Sequence, residues 1–265
     1  MRERILTSLV LAPIVVGACV LPNPYLLFGL CLIAATIAFS EIKVLLGSPR
    51  VLPVLTLVSL ALPFYAVERQ IRYPHQLLAY ACVFFLFGVA FAWYGARKST
   101  PIGADVDIAG LWATMPLLCI WLVHALYSAN AVNWHTPLLL VLLPIWAGDI
   151  AAMLVGKRLG KHKLAPHLSP GKSVEGGIAN FAAAIGTAVL VGIYLNVPVL
   201  HALACGAVAG LFGQAGDLFQ SYLKRKRGLK DSGNILPGHG GLLDRIDSLL
   251  FAAPPVSLIV AFWLR

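Results

Sequence analysis

Apolar residues occupy most of the chain in long runs that short polar segments separate. The runs cover residues 5–21, 25–46, 51–67, 76–94, 108–128, 137–156, 178–196, 198–222 and 246–264. Most of them approach the roughly 20 residues that a helix needs to cross the hydrocarbon core of a bilayer. Backbone groups in lipid must be hydrogen-bonded internally, which favours helices. The pattern therefore predicts an all-α polytopic membrane protein with about nine transmembrane helices.

Two features subdivide these predicted helices. The third run is short and holds Pro53 and Pro63, so it is predicted to be kinked or to cross the bilayer only partly. Residues that can carry chemistry concentrate in the last part of the chain. We therefore divide the chain into N-terminal transmembrane helices (1–95), a middle transmembrane segment (96–136) and a C-terminal region with the candidate chemistry (137–265), whose predicted cytoplasmic loops are 157–177 and 224–245.

The distribution of basic residues predicts the orientation of the helices in the membrane. If the N-terminus is cytoplasmic and every run crosses, only Arg69, Arg72 and Arg265 of the 20 Lys and Arg residues lie on the outer side. The positive-inside rule thus predicts a cytoplasmic N-terminus. The charged fraction of 12% is also about half the value of soluble chains, near 25%. No soluble basic domain accompanies the net charge of +9, so nucleic acid is not expected as a partner.

The most polar stretch of the chain covers residues 221–248. The glycines within residues 237–241 allow positive φ angles and a close backbone approach, so that consecutive N–H groups can converge on an anion. Lys224, Arg225 and Lys230 can neutralise phosphate charge, Arg through a bidentate fork and Lys as a point charge. This combination indicates a phosphate-binding site.

Two carboxylates lie inside apolar runs. Asp149 falls in the sixth run, where a charge costs about 2.5 to 3.5 kcal/mol on insertion scales and therefore requires a partner. A bond to a neighbouring helix is the structural alternative to a catalytic role for this residue. In the eighth run, polar residues recur at helical spacing and form a stripe on one face. The members of the stripe are Gln214, Asp217, Ser221 and Lys224.

Two further carboxylates open the ninth run. Asp244 and Asp247 lie three residues apart, so on a helix they share a face. Carboxylate oxygens beside cations suit a polyphosphate that carries Mg²⁺. We expect Asp217 and Asp244 to be the main Mg²⁺ ligands, followed by Asp247 and Asp149, and whether a second cation takes part is open. Capping of the ninth helix is the alternative explanation for Asp244 and Asp247.

A second polar segment contains Gly171-Lys172-Ser173, which mimics the end of a P-loop. That motif needs a glycine five residues before Gly171, where Pro166 stands, and a preceding strand, so a Walker site is excluded. Ser and Lys side chains ahead of a helix can hold phosphate oxygens at its N-terminus. A basic loop that only obeys the positive-inside rule is the alternative.

The order of residues in both segments resembles a known family, the phosphatidate cytidylyltransferases, also called CDP-diacylglycerol synthases. The longer match has no gap between Ser221 and Asp247. Its matching residues are Ser221, Leu223, Lys224, Arg225, Lys230, Asp231, Gly233, Leu236, Pro237, His239, Gly240, Gly241, Leu242, Asp244, Arg245, Ile246 and Asp247. The second block keeps Ser169, Pro170, Lys172, Ser173, Glu175 and Gly176.

The resemblance implies a membrane enzyme that joins CTP to phosphatidic acid with Mg²⁺, releases pyrophosphate, and forms a homodimer. The short chain favours a bacterial cytoplasmic membrane as its setting, with the active site on the cytoplasmic side. The catalytic candidates are Asp217, Asp244, Lys224, Arg225, Lys230 and Asp231. The substrate-binding candidates are Ser169, Lys172, Ser173, Glu175, Ser221, His239, Gly240, Gly241 and Arg245. The resemblance also implies an active-site role for the aspartate at Asp149.

Other interpretations stay open at this stage. The lipid substrate can be another lipid phosphate, because the sequence does not define acyl chains. An ion-coupled transporter would use Asp149 and Asp217 as a relay, although no inverted repeat is evident. Glu41, near the cytoplasmic end of the second run, is interpreted first as an interfacial residue that pairs with Lys43 and reaches the surface, and a functional role for it stays open. Arg227 is interpreted as a topological anchor.

Overall fold

Seven long helices form most of the part of the chain that the structure describes. This computed structural model describes residues 13–21, 23–47, 74–97, 103–128, 136–235 and 240–263. The helices are α1 (Pro24–Leu46), α2 (Pro74–Arg97), α3 (Gly103–Ser128), α4 (Leu139–Leu159), α5 (Val174–Tyr194), α6 (Val199–Lys226) and α7 (Leu243–Trp263). Residues 13–20 are also helical. By length and composition, all or most of each long helix qualifies as a membrane span.

These helices match seven of the predicted apolar runs, so the helical polytopic architecture is confirmed in its coarser form. The run at 51–67 lies outside the described residues, as do residues 5–12 of the first run. A total of about nine transmembrane helices and a cytoplasmic N-terminus therefore stay predictions.

Local sequence signals define both ends of α1. The Asn23 side chain accepts a hydrogen bond from the Tyr25 amide at 3.0 Å, and Pro24 occupies the first helical position. Proline suits that position because its missing N–H would have no intrahelical partner. The helix ends at Gly47, whose φ of 75° is the left-handed conformation that glycine adopts readily.

The described chain divides into two compact units, and the chain passes between them within α6 and within α7. Unit one comprises residues 1–136 and 223–246, and unit two comprises residues 137–222 and 247–265.

Unit one is built around α3. In the most apolar part of α3, 94% of the residues are buried inside the protein, and α1 and α2 pack against this helix. A β-carbon on Gly88 of α2 would collide with the α3 backbone at Trp112, so glycine permits the close approach of these helices. On the α1 side, the Trp121 indole donates a hydrogen bond to the Pro24 carbonyl at 3.0 Å.

Unit two contains α4, α5 and most of α6 and α7. Helices α4 and α5 pack along each other. A β-carbon on Gly206 of α6 would lie 2.6 Å from the Ile185 Cα of α5, so this helix pair also depends on a small residue. The aromatic rings of Phe219 in α6 and Phe251 in α7 pack with centroids 5.3 Å apart.

The connecting segments between these helices are shorter than the predicted loops. Helix α4 continues to Leu159 and α5 begins at Val174, so the expected loop 157–177 is reduced to 160–173. Within it, β1 (Lys163–Ala165) and β2 (Ser169–Ser173) form an antiparallel hairpin. Helix α6 likewise continues to Lys226 and α7 begins at Leu243, so the expected loop 224–245 is reduced to 227–242. The helices thus include polar and charged residues at their ends. The length of the apolar runs alone does not predict these residues to be helical.

Candidate active site

In unit two, the hairpin brings a lysine to an intramembrane aspartate. The Lys172 Nζ atom, on β2, lies 2.6 Å from the Asp217 Oδ2 atom on α6. The lysine side chain is 22% exposed and the aspartate side chain 36% exposed, so solvent reaches both groups. An accessible cation and carboxylate in contact are a suitable starting point for binding a phosphate and its metal ion.

Asp149 of α4 belongs to the same region. Its carboxylate accepts a hydrogen bond from Asn180 Nδ2 at 3.2 Å and is hydrogen-bonded to the Ser248 side chain. It also interacts electrostatically with Asp217 and Lys172. The bond to neighbouring helices, which was the structural alternative for Asp149, is therefore observed together with its proximity to the other charged groups. We call Lys172, Asp217 and Asp149 the unit-two cluster.

Two amides hold this cluster in place. The Gln214 side-chain amide donates to the carbonyl oxygens of Gly177 at 3.2 Å and Gly210 at 3.0 Å, and to Asn180 Oδ1 at 3.4 Å. Asn180 in turn donates to Asp149. Asn180 is buried in α5 and was not among the residues that the sequence singled out. The signal that could have identified it is a lone amide inside an otherwise apolar helix.

Two predicted substrate-binding residues shape the hairpin. The Ser173 hydroxyl is the N-cap of α5 and accepts a hydrogen bond from the Gly176 amide at 3.2 Å. The Glu175 carboxylate lies 2.7 Å from His162 Nδ1 and also accepts from the His162 amide at 3.2 Å. Ser169 is half-buried at the start of β2. Lys172 is thus the residue of this block that reaches the carboxylates.

In unit one, Asp244 is the centre of a second group of bonds. Its Oδ1 atom accepts from Lys224 Nζ at 2.7 Å, and its Oδ2 atom accepts from the amides of Ser232 at 2.8 Å and Gly241 at 3.2 Å. The side chains of Lys224 and Asp244 are only 13% and 6% exposed. We call Asp244, Lys224, Ser232 and Gly241 the unit-one cluster. It joins α6, the connecting segment and the first turn of α7.

Glu41 is placed differently from the interpretation drawn from the sequence. Its side chain is buried, and its carboxylate accepts hydrogen bonds from the Leu242 amide at 2.7 Å, the Leu243 amide at 2.9 Å and the Ser232 hydroxyl at 2.6 Å. Lys43 instead lies over the Phe39 ring, 5.7 Å from its centroid. The interpretation of Glu41 as an interfacial partner of Lys43 is wrong, because donors from the distant start of α7 bind the carboxylate.

The remaining predicted residues lie outside these two clusters. Exposed residues are Arg225, Lys230, Asp231 and Arg245. The Arg225 guanidinium donates to the Leu229 carbonyl at 3.0 Å. Ser221 is buried in α6, and Asp247 is half-buried in α7. Gly240 has a φ of 84°, which confirms the expected need for glycine there, whereas His239 lies outside the described residues.

Comparison with known proteins identifies the family. A model of the cytidylyltransferase family matches residues 2–263. The chain belongs to the cytidylyltransferase family. The resemblance drawn from the two polar segments is therefore confirmed.

Relatives of the chain carry a more specific name. The chain is 46% identical over 121 residues to a protein of Bacillus subtilis (strain 168) named phosphatidate cytidylyltransferase, and the match covers 45% of each chain. It is 43% identical over 136 residues to a protein of the same name from Staphylococcus aureus (strain COL), where the match covers 51% of this chain and 52% of the relative. The chain thus spans about half the length of the curated relatives that it matches.

The carboxylates of the two clusters differ in how well they suit a divalent cation. Among the described residues, no group of three or more His, Cys, Asp or Glu side chains could hold a metal ion. Mg²⁺ is commonly bound through one or two carboxylates, with waters and substrate phosphates completing its shell. Asp149 and Asp217 fit such a partial site, because they interact with each other and Asp217 is accessible. The Asp244 oxygens accept from Lys224 and from two amides in this arrangement, and its expected role as a Mg²⁺ ligand stays a prediction.

Proposed function

We propose that this chain transfers a cytidylyl group from CTP to phosphatidic acid, making CDP-diacylglycerol and pyrophosphate at the cytoplasmic side of a bacterial membrane. The observation that carries the proposal is the accessible pair of Lys172 and Asp217, with Asp149 near it, in a member of the cytidylyltransferase family. The name of the matched bacterial relatives supports the choice of lipid. The proposed homodimer rests on the family resemblance.

The proposed reaction exchanges one phosphoanhydride bond for another. A phosphate oxygen of phosphatidic acid forms a bond to the α-phosphorus of CTP, and the bond from that phosphorus to the pyrophosphate oxygen breaks on the opposite side. The attacking phosphomonoester is already largely ionised near neutral pH, since its second pKa is about 6. The protein therefore needs no strong general base, and its task is to position the two anions and to neutralise their charge.

Lys172 is assigned the main share of that neutralisation. It lies on a short exposed hairpin, and its flexible stem allows the ammonium to move from Asp217 to a nearby phosphate oxygen. Asp149 and Asp217 are the residues that would hold Mg²⁺, which when bound would neutralise phosphate oxygens. Asn180 and Gln214 keep Asp149 oriented on α4. In unit one, the exposed Arg225, Lys230 and Arg245 attract the anionic nucleotide.

The test is incorporation of labelled CTP into lipid by the purified full chain in detergent. Radiolabel should enter the chloroform phase only when phosphatidic acid and Mg²⁺ are both present, with one pyrophosphate released for each lipid labelled. Absence of label from protein shown to be folded would overturn the proposal. Label with another lipid phosphate, but not with phosphatidic acid, would keep the cytidylyl transfer and reject the lipid.

A further inference from the structure

The start of α7 has no capping residue of its own. The first N–H groups of a helix have no intrahelical partners and are usually bound by a Ser, Thr, Asp or Asn just before the helix. Ahead of Leu243 stand Gly240, Gly241 and Leu242, none of which has a side chain that can accept. The Glu41 carboxylate of α1 takes that place, because it accepts from the amides of Leu242 and Leu243.

The two glycines beside Glu41, Gly233 and Gly241, lie where a larger side chain has little or no room. A β-carbon on Gly241 would lie 2.6 Å from Glu41 Oε2, and one on Gly233 would lie 3.0 Å from Oε1. Neither glycine has a positive φ. A β-carbon on Gly241 would also collide with Ser232 Oγ and with the Gly233 backbone nitrogen, the latter at 2.7 Å. Gly241 is therefore required where Glu41 and Ser232 meet, and Gly233 leaves little room beside the carboxylate. The backbone amides near Gly241 converge on protein carboxylates. The sequence pattern had suggested a bound phosphate at these amides.

The same segment is held a second time by Asp244. Ser232 uses its hydroxyl for Glu41 and its amide for Asp244. On the other side of the segment, the Gly241 amide binds Asp244, and the next two amides bind Glu41. Both ends of the segment 232–243 thus bind the carboxylates of Glu41 and Asp244. The Asp244 carboxylate also binds Lys224.

We propose that Glu41 is a positioning residue for the cytidylyl transfer proposed above, on which this inference rests. Glu41 fixes the two ends of the segment 232–243, at Ser232 and at Leu242 and Leu243. Through Ser232 and Asp244 it also fixes the position of Lys224. Gly240 and Gly241 of this segment are among the predicted substrate-binding residues. Glu41 itself is buried within unit one and acts through the backbone that it binds.

The decisive variant is Glu41→Gln. It keeps the size of the side chain but leaves one acceptor oxygen and adds an NH₂ group that faces other donors. We expect kcat/KM for CTP to fall about 100-fold, because small displacements of positioning groups can cost that much. Hydrogen exchange should become faster in peptides from residues 231–243, whereas protection in α2 and α3 stays at the wild-type level.

Two comparisons separate positioning from general support of the fold. Lys43→Gln, on the same helix, removes a charge that does not bind the segment and should leave both measurements near wild type. Ser232→Ala removes one donor to Glu41 and should cost less activity in the Glu41→Gln background than in the wild type, because the two residues are directly coupled. If Glu41→Gln does not accumulate, Ser232→Ala alone should still speed exchange in residues 231–243.

Several outcomes would overturn the inference. Unchanged exchange in residues 231–243, unchanged kcat/KM for CTP, or additive effects of the two substitutions would each do so. A uniform loss of protection through α1, α2 and α3 would assign Glu41 to general stability and would also reject the inference. Failure of the proposed function is visible separately, as absence of product from the wild type, while the exchange comparison still reports on the segment.

Discussion

The ammonium of Lys172 lies 2.6 Å from the Asp217 carboxylate and so joins the exposed hairpin to α6. The pair places a mobile cation against an accessible carboxylate within unit two. Its use in the proposed reaction requires that the cation can leave the carboxylate for a phosphate. This requirement leads to the first prediction.

Substitution of Lys172 by Met should lower kcat for CTP incorporation about 100-fold or more, the size of effect seen when one electrostatic contact to the transition state is removed. The fold should persist, because the hairpin is held by Ser173 and by the pair of Glu175 and His162. Lys161→Met is the matched control, since Lys161 lies in the same connecting segment and is exposed. Equal activities of the two variants would reject the role of Lys172.

Chelation of divalent cations should abolish cytidylyl transfer, and added Mg²⁺ should restore it. Asp149→Asn should raise the Mg²⁺ concentration needed for half-maximal activity about tenfold or more, as loss of a ligand or its support commonly does. The measurement is initial rate against free Mg²⁺ for the wild type and the variant. An unchanged half-maximal concentration would remove Asp149 from the metal site.

Asp244→Asn should destabilise the protein strongly. It leaves the ammonium of Lys224, whose side chain is only 13% exposed, without its charged partner, and breaking one side of a buried pair costs about 3–5 kcal/mol. Thermal unfolding in detergent measures the loss, and Lys224→Met should recover part of it in the double variant. Asp231→Asn is the stability control because Asp231 is exposed. A melting temperature for Asp244→Asn equal to that of Asp231→Asn would contradict the prediction.

Arg227→Ala should lower the free energy of unfolding by about 1–2 kcal/mol. The guanidinium donates to the carbonyl oxygens of Leu45 and Leu46 at the C-terminus of α1, where a cation is favourable in a partly buried setting. Arg227 is therefore more than the topological anchor that the sequence suggested. Lys226→Ala, at an exposed neighbouring position, should have little effect on denaturant unfolding. Equal midpoints for both variants would show that the contact contributes nothing measurable.

Apolar run length was sufficient to predict the seven described helices, since hydrogen bonding in lipid permits few other structures. The hairpin at 163–173 was not predicted, because its strands are short and mostly exposed and carry no alternating apolar pattern. Charged residues extend some helices beyond their apolar runs, so the predicted runs are too short at these ends. Helix α6, for example, continues to Lys226, whereas its run ends at 222.

The sequence identified several candidate functional residues but did not predict which residues they contact. Residue type and position identified Lys172, Asp217, Lys224 and Asp244, because charges are costly in or near a membrane span. Their partners could not be derived, since the contacts depend on tertiary packing. Glu41 shows the limit most clearly: its visible neighbour was Lys43, whereas its actual donors include Leu243, which lies 202 residues away.

The bonds of Glu41 also bear on how the protein is made. Translation at about 5–20 residues per second separates the synthesis of Glu41 from that of Leu243, 202 residues later, by about 10–40 s. Arg227, which binds the Leu45 carbonyl at the end of the same helix, is synthesised 182 residues after Leu45. Throughout that interval, α1 lacks the native partners of its buried carboxylate and of its last carbonyl oxygens. Unit one can therefore close only after the beginning of α7 has left the ribosome, so its assembly is a late event in biogenesis.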